Sequence, residues 1–263
     1  MGGKELAARD RVRAPGRAGW ATGVPHAARR AADRLIVALD AITLADVLAM
    51  AKRLQGLVRT VKVGSALFTA HGPSTVARLR AMGFGVMLDL KFFDIPSTVE
   101  LSCRAAAGLR VSLLTVHACG EPEMLEAAVR GARDGAKRLG TKPPAVLGVT
   151  VLTSVGRRLP VRIQADVVRL AQRAYEAGCD GVVASAQEAA ALRRRFGRRL
   201  QIVCPGIRPA RAAIGDQERS TTPREALVQG ADRLVVGRPI TAAANPRTAA
   251  QQMLTEMEAV NGC

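Results

Sequence analysis

Residues 86–98 read VMLDLKFFDIPST, an apolar run that carries Asp89, Lys91 and Asp94 and breaks at Pro96, with Thr98 just beyond. The apolar lead-in predicts a buried strand over 85–89. Charges at the tip of such a strand are costly unless they pair. Side chains two apart on a strand share a side, so Asp89 and Lys91 are expected to project together. A carboxylate next to Lys91 would hold it as an ammonium, a proton donor rather than a nucleophilic amine. A bare D-x-K also fits an ordinary ion pair at a strand rim, so the surrounding chain has to decide between the two readings.

Outward from this segment the same unit repeats. From Arg34 onward, short apolar runs at 34–39, 60–64, 85–89, 112–117, 145–150, 181–184, 200–204 and 233–237 read as eight strands. Between and after them, helical patterns fall near 43–55, 73–82, 97–108, 122–138, 163–177, 187–195, 223–229 and 247–259, with Thr43 and Pro73 as start signals. Alternation of this kind calls for a parallel sheet, and closure into a single α/β (β/α)8 TIM barrel is the economical arrangement. An open doubly wound sheet is the alternative, weakened because no G-x-G-x-x-G follows the first strand. No linker is visible after residue 33, so 33–263 is expected to be one barrel domain. Residues 1–32 hold seven basic and two acidic residues with several Gly and Pro, and read as a flexible, disordered basic extension.

Composition narrows the function. Formal charge is +17 across 263 residues, yet the arginines are spread over most predicted helices and aromatic residues make up only 3%. Base stacking has little to work with, so nucleic-acid binding is not expected. No apolar run approaches the length of a membrane span and the first thirty residues lack a signal-like apolar block. The five cysteines and three histidines show no metal-ligand or disulfide spacing. A metal-free, reduced, cytoplasmic protein is the expectation. Only six of the 39 basic residues are lysine, which makes Lys62 and Lys91 within or beside strands conspicuous, since lysine can release a proton where arginine does not.

In a barrel the strand ends gather at one face, where such folds place their sites. Asp40 follows strand one, Lys62 lies in strand two, Asp89 and Lys91 end strand three, His117 ends strand four and Thr153 follows strand five. Asp40 reads equally as a cap for the helix near Thr43, and His117 reads better as a core residue than as a catalyst. Thr153 is also compatible with a turn. The loops after strands seven and eight carry Gly206, Arg208, Gln217, Gly237 and Arg238, a set suited to a phosphate, although Gly237–Arg238 also fits a tight loop with a surface arginine.

With DLKFFDIPST at strand three, LIVALD at 35–40, VKVGSALF at 61–68, VTVLTS at 149–154, SAQE at 185–188, PGIRP at 205–209, GDQ at 215–217 and VVGRPI at 235–240, the chain resembles the orotidine 5′-phosphate decarboxylase family. The resemblance runs from about Leu35 to Asn261. It implies a carboxy-lyase that converts orotidine 5′-phosphate to UMP in de novo pyrimidine biosynthesis, without metal or cofactor. By position, Lys62, Asp89, Lys91 and Asp94 resemble the family's charged tetrad, with Lys91 protonating C6 of the pyrimidine. Asp94 and Thr98 would reach the neighbouring subunit's site, which implies a homodimer. Asp40 and Lys62 are similar in position to the ribose contacts, Thr153 to a residue near the base, and Arg208, Gln217, Gly237 and Arg238 to the phosphate contacts. The segment 205–222 is expected to act as a lid. Phe93 stands where many relatives carry histidine, and Ser97 where asparagine is common. A rival within the same wider group, the metal-dependent sugar-phosphate decarboxylases and aldolases, resembles the chain at D-x-K-x-x-D but has a glutamate in place of Lys62.

Overall fold

In the computed structural model, residues 31–41, 43–152, 160–209 and 221–260 are described. Eight strands, β1 Leu35–Ala38, β2 Thr60–Gly64, β3 Gly85–Phe92, β4 Leu113–His117, β5 Ala145–Val149, β6 Gly181–Val183, β7 Gln201–Cys204 and β8 Arg233–Val236, pair in chain order. All pairings are parallel, and β8 closes onto β1 through Leu35↔Leu234 and Val37↔Val236. This is a (β/α)8 barrel, as the alternation in the sequence predicts.

Alternation along each strand decides which side chains fill the barrel. Leu35 and Val37 join the layer between strands and helices, while Ile36 and Ala38 turn inward to meet Met87, Leu113, Leu147, Val203 and Val235. In β2, Val61 and Val63 take the outer layer, and Lys62 between them takes the inner side. Lys62 pairs in register with Ala38 and Met87, and Gly64 with Asp89. The inward lysine is therefore stacked on an apolar floor at the end where the strands finish.

Among the described residues, residues 31–34 are helical with Ala31 and Ala32 buried rather than part of a disordered extension, and the structure adds two further helices that the sequence pattern does not reveal. Ser65–His71 follows β2 directly and is separated from Pro73–Ala81 by Gly72 at φ 61, a left-handed turn that suits glycine. Arg238–Thr241 is a single turn after β8. Both are too short to show a helical period. The expected helix near 163–177 runs Pro160–Glu176, and β3 continues to Phe92, three residues past its expected end. Helix Pro96–Gly108 lies tightly against helix Pro122–Arg138. A Cβ on Gly131 would run into the Glu100 carbonyl oxygen, and one on Gly135 would sit 2.5 Å from that of Arg104. Among the described residues no helix is long and apolar enough to cross a membrane. Buried Cys103 and Cys179 are free thiols whose pKa burial pushes up to about 12, which makes them inert packing.

Candidate active site

A cavity of about 290 Å³ opens where the strands end, at the face where barrels carry their chemistry. On one side four charges alternate in a row. Lys62 Nζ lies 3.1 Å from Asp40 Oδ1 and 3.5 Å from Asp89 Oδ2, and Asp89 Oδ2 lies 2.9 Å from Lys91 Nζ. Lys62 and Asp89 are only 12% and 13% exposed, whereas Asp40 is 65% exposed. Burial by itself raises the pKa of Asp89. The charges of Lys62 and Lys91, with hydrogen bonds from Lys91 and Thr115, outweigh burial and hold it below the ordinary carboxylate value. Asp89 is thus a fixed anion at neutral pH, in contact with both lysines.

Asp40 does not cap the following helix. Thr43 does, accepting the Asp46 N–H through its hydroxyl, which leaves Asp40 to pair with Lys62. Gly64 makes room for that pair, since a Cβ there would lie 3.3 Å from Lys62 Nζ and 3.5 Å from Asp40 Oδ1.

Asp89 and Lys91 face the same cavity, but not through plain strand alternation. The β3–β4 register runs Met87↔Leu113 and Leu88↔Leu114, then jumps to Phe92↔Val116. Asp89, Leu90 and Lys91 therefore lie opposite the single residue Thr115, and Lys91 adopts φ 51. A non-glycine residue in that conformation costs on the order of 1–2 kcal/mol, and bulges of this kind re-aim side chains near sites. Thr115 is fully buried, accepts the Lys91 N–H at 3.0 Å and donates to Asp89 Oδ1 at 3.0 Å. Sequence reasoning passed over Thr115 because a threonine inside an apolar strand looks like ordinary β-propensity.

Arg208, after β7, and Gly237 and Arg238, after β8, line the same cavity, with Val149, Val183 and Val235 as apolar wall; a Cβ on Gly237 would lie 3.6 Å from Asp40 Oδ2. The structure thus unites Asp40, Lys62, Asp89, Lys91, Arg208, Gly237 and Arg238 in one cavity. Asp94 and Thr98 are exposed and do not line it, and the Asp94 carboxylate accepts the N–H of Ile95. Thr153 and Gln217 lie outside the described residues, as do residues 1–30 and the central part of the expected lid. His117 is half-buried beside this cluster and meets the ring of Phe93 edge-on. Its pKa is lowered, by burial first and then by Lys91, while Asp89 pulls the other way. Among the described residues no three His, Cys, Asp or Glu side chains cluster so as to hold a metal.

Four cations and two carboxylates around one apolar-floored cavity at the C-terminal face define a barrel enzyme for a small, anion-bearing molecule. A sequence model described as the orotidine 5′-phosphate decarboxylase / HUMPS family matches residues 33–253, and the chain belongs to that family. Among relatives, the orotidine 5′-phosphate decarboxylase of Parasynechococcus marenigrum is 47% identical over 240 residues, covering 89% of this chain and 97% of that one. The same enzyme of Halorhodospira halophila is 47% identical over 234 residues, covering 86% and 96%. Among solved structures, orotidine 5′-phosphate decarboxylase from Lactobacillus acidophilus superposes with a TM-score of 0.73 at 34% identity, over 86% of this chain and 99% of that chain.

Proposed function

We propose that the protein decarboxylates orotidine 5′-phosphate to UMP as a homodimer, without metal or cofactor, the Lys91 ammonium protonating C6. The observation that carries this reading is the alternating row Asp40–Lys62–Asp89–Lys91 lining one cavity together with Arg208 and Arg238. The family membership and the decarboxylase relatives support the substrate.

The pyrimidine and ribose lie along the charged row and the phosphate lies against the arginines. Breaking the bond from C6 to the carboxylate releases CO₂ and leaves the electron pair on C6, which the ring carbonyls delocalise poorly. Lys91 stabilises that developing charge and then passes a proton from Nζ to C6, after which solvent reprotonates it. Asp89 keeps Lys91 aimed at the reacting carbon and places negative charge near the departing carboxylate. Arginine contacts to the remote phosphate hold the nucleotide in place while C6 reacts.

The dimer is supported by an apolar surface beside the site. Phe93, Ile95 and Leu101 are 60%, 64% and 60% exposed on either side of Asp94 and Thr98. Large apolar groups concentrated this way mark an interface. Burying them against a second subunit directs Asp94 and Thr98 toward the partner's cavity.

The metal-dependent sugar-phosphate reading needs a carboxylate on β2, where this chain has Lys62. An absorbance assay with orotidine 5′-phosphate in EDTA separates the two. Turnover to UMP is expected; strict magnesium dependence would transfer the assignment to the sugar-phosphate class.

A further inference from the structure

We infer that Thr115 is a positioning residue for catalysis, setting the relative placement of Asp89 and Lys91; this rests on the decarboxylase reading above. The argument starts from the bulge in β3. Three residues, Asp89, Leu90 and Lys91, occupy the stretch of strand opposite Thr115 alone. A bulge removes regular ladder partners from the backbone it displaces, and a buried N–H left without an acceptor is costly. Thr115 supplies the missing acceptor with its side chain rather than its backbone, taking the Lys91 N–H at 3.0 Å.

One hydroxyl then serves both charged residues. Having accepted from Lys91, Oγ1 directs its own hydrogen to Asp89 Oδ1 at 3.0 Å. The other carboxylate oxygen, Oδ2, is thereby left to receive Lys91 Nζ at 2.9 Å and Lys62 Nζ at 3.5 Å. Thr115 is 0% exposed, so no water replaces the hydroxyl if it is removed. A valine would keep the branched β-strand shape and leave the Lys91 N–H and Asp89 Oδ1 without their partner. Serine would keep the hydroxyl and lose only a methyl group.

The test compares Thr115→Val and Thr115→Ser in steady-state kinetics across pH, with thermal unfolding measured alongside. Loss of a hydrogen bond to a charged group predicts that Thr115→Val lowers kcat by roughly 10- to 100-fold. KM for the nucleotide should move little, because Thr115 does not line the cavity. With one stabilising donor gone, the Asp89 pKa rises and the acid limb of kcat/KM shifts to higher pH. Thr115→Ser should recover most of kcat and restore the wild-type limb. Wild-type kcat and pH profile in Thr115→Val would overturn the inference. So would equal impairment of the serine and valine variants with matching losses of stability, since that marks a packing role. Absence of turnover in the wild-type chain would instead sink the decarboxylase reading, and is seen before any variant is compared.

Discussion

At the scale of single residues, the site works by charge held in place. Lys91 has its ammonium 2.9 Å from Asp89 and its backbone at φ 51 within the bulge. Lys91→Met keeps the stem and removes both the charge and the proton; kcat should fall by roughly a thousandfold or more, the range for losing a general acid that is also an electrostatic stabiliser. Retention of more than a tenth of the activity would contradict that role. Arg238 lines the same cavity, and Arg238→Ala should lower kcat/KM by about 10- to 100-fold through lost phosphate binding. Unchanged kcat/KM with the full nucleotide would remove Arg238 from the phosphate contacts.

His117 gives this region a pH signature in stability. Its folded pKa lies below the ordinary 6.5, so as pH falls through that value the unfolded chain takes up a proton that the folded chain refuses. Stability drops in that window and the loss is complete once pH passes the folded pKa. Asp89 acts in the same direction further down: its carboxylate stabilises the fold above about 3.8, and that contribution is lost as pH falls through its lower folded value. Thermal unfolding should therefore show Tm falling as pH drops through about 6.5, with a smaller fall in His117→Gln. An identical slope in the variant would mean that other groups carry the dependence.

At the scale of elements, the helix pair after β3 and β4 holds the strand tip. Glycine within a helix costs about 1 kcal/mol relative to alanine, so Gly131 and Gly135 in Pro122–Arg138 need a packing reason. Both sit against backbone carbonyls of Pro96–Gly108, and Glu100 at that crossing pairs with Arg104 on its own helix and Arg130 on the other. Gly131→Ala should destabilise the protein by roughly 1–3 kcal/mol, measured as a lower denaturation midpoint with little change in m-value. A neutral or stabilising effect would show that the crossing can open freely. Helix Pro96–Gly108 begins two residues after Asp94 and carries Thr98 in its first turn, so the crossing also fixes where those two exposed side chains project.

At the scale of the whole molecule, the decisive question is how many subunits build one site. Lys91 lines its own cavity, and Asp94, three residues on, does not. If the partner's cavity receives Asp94, Lys91→Met and Asp94→Asn dimers are each poorly active. Random reassortment of the two then gives mixed dimers with one fully native site, restoring about a quarter of wild-type activity. No recovery on mixing would place Asp94 outside the shared site.

The barrel was legible in the chain before any tertiary contact was known. Eight apolar runs separated by helical patterns leave few ways to cover a parallel sheet, and the inward or outward fate of each side chain follows from strand periodicity, as Lys62 between Val61 and Val63 shows. Candidate charges were legible for the same reason, because ionic groups at the ends of buried strands are rare unless they pair. The geometry that makes those charges act together came from the folded barrel alone. The β3 bulge and the part of Thr115 in it arise from a register shift between two strands, and the choice of Asp40 as partner for Lys62 depends on Thr43 taking the cap and Gly64 leaving space. Register and cross-strand hydrogen bonds are relations between distant segments. Local periodicity carries no record of them, and they exist only once the barrel has closed.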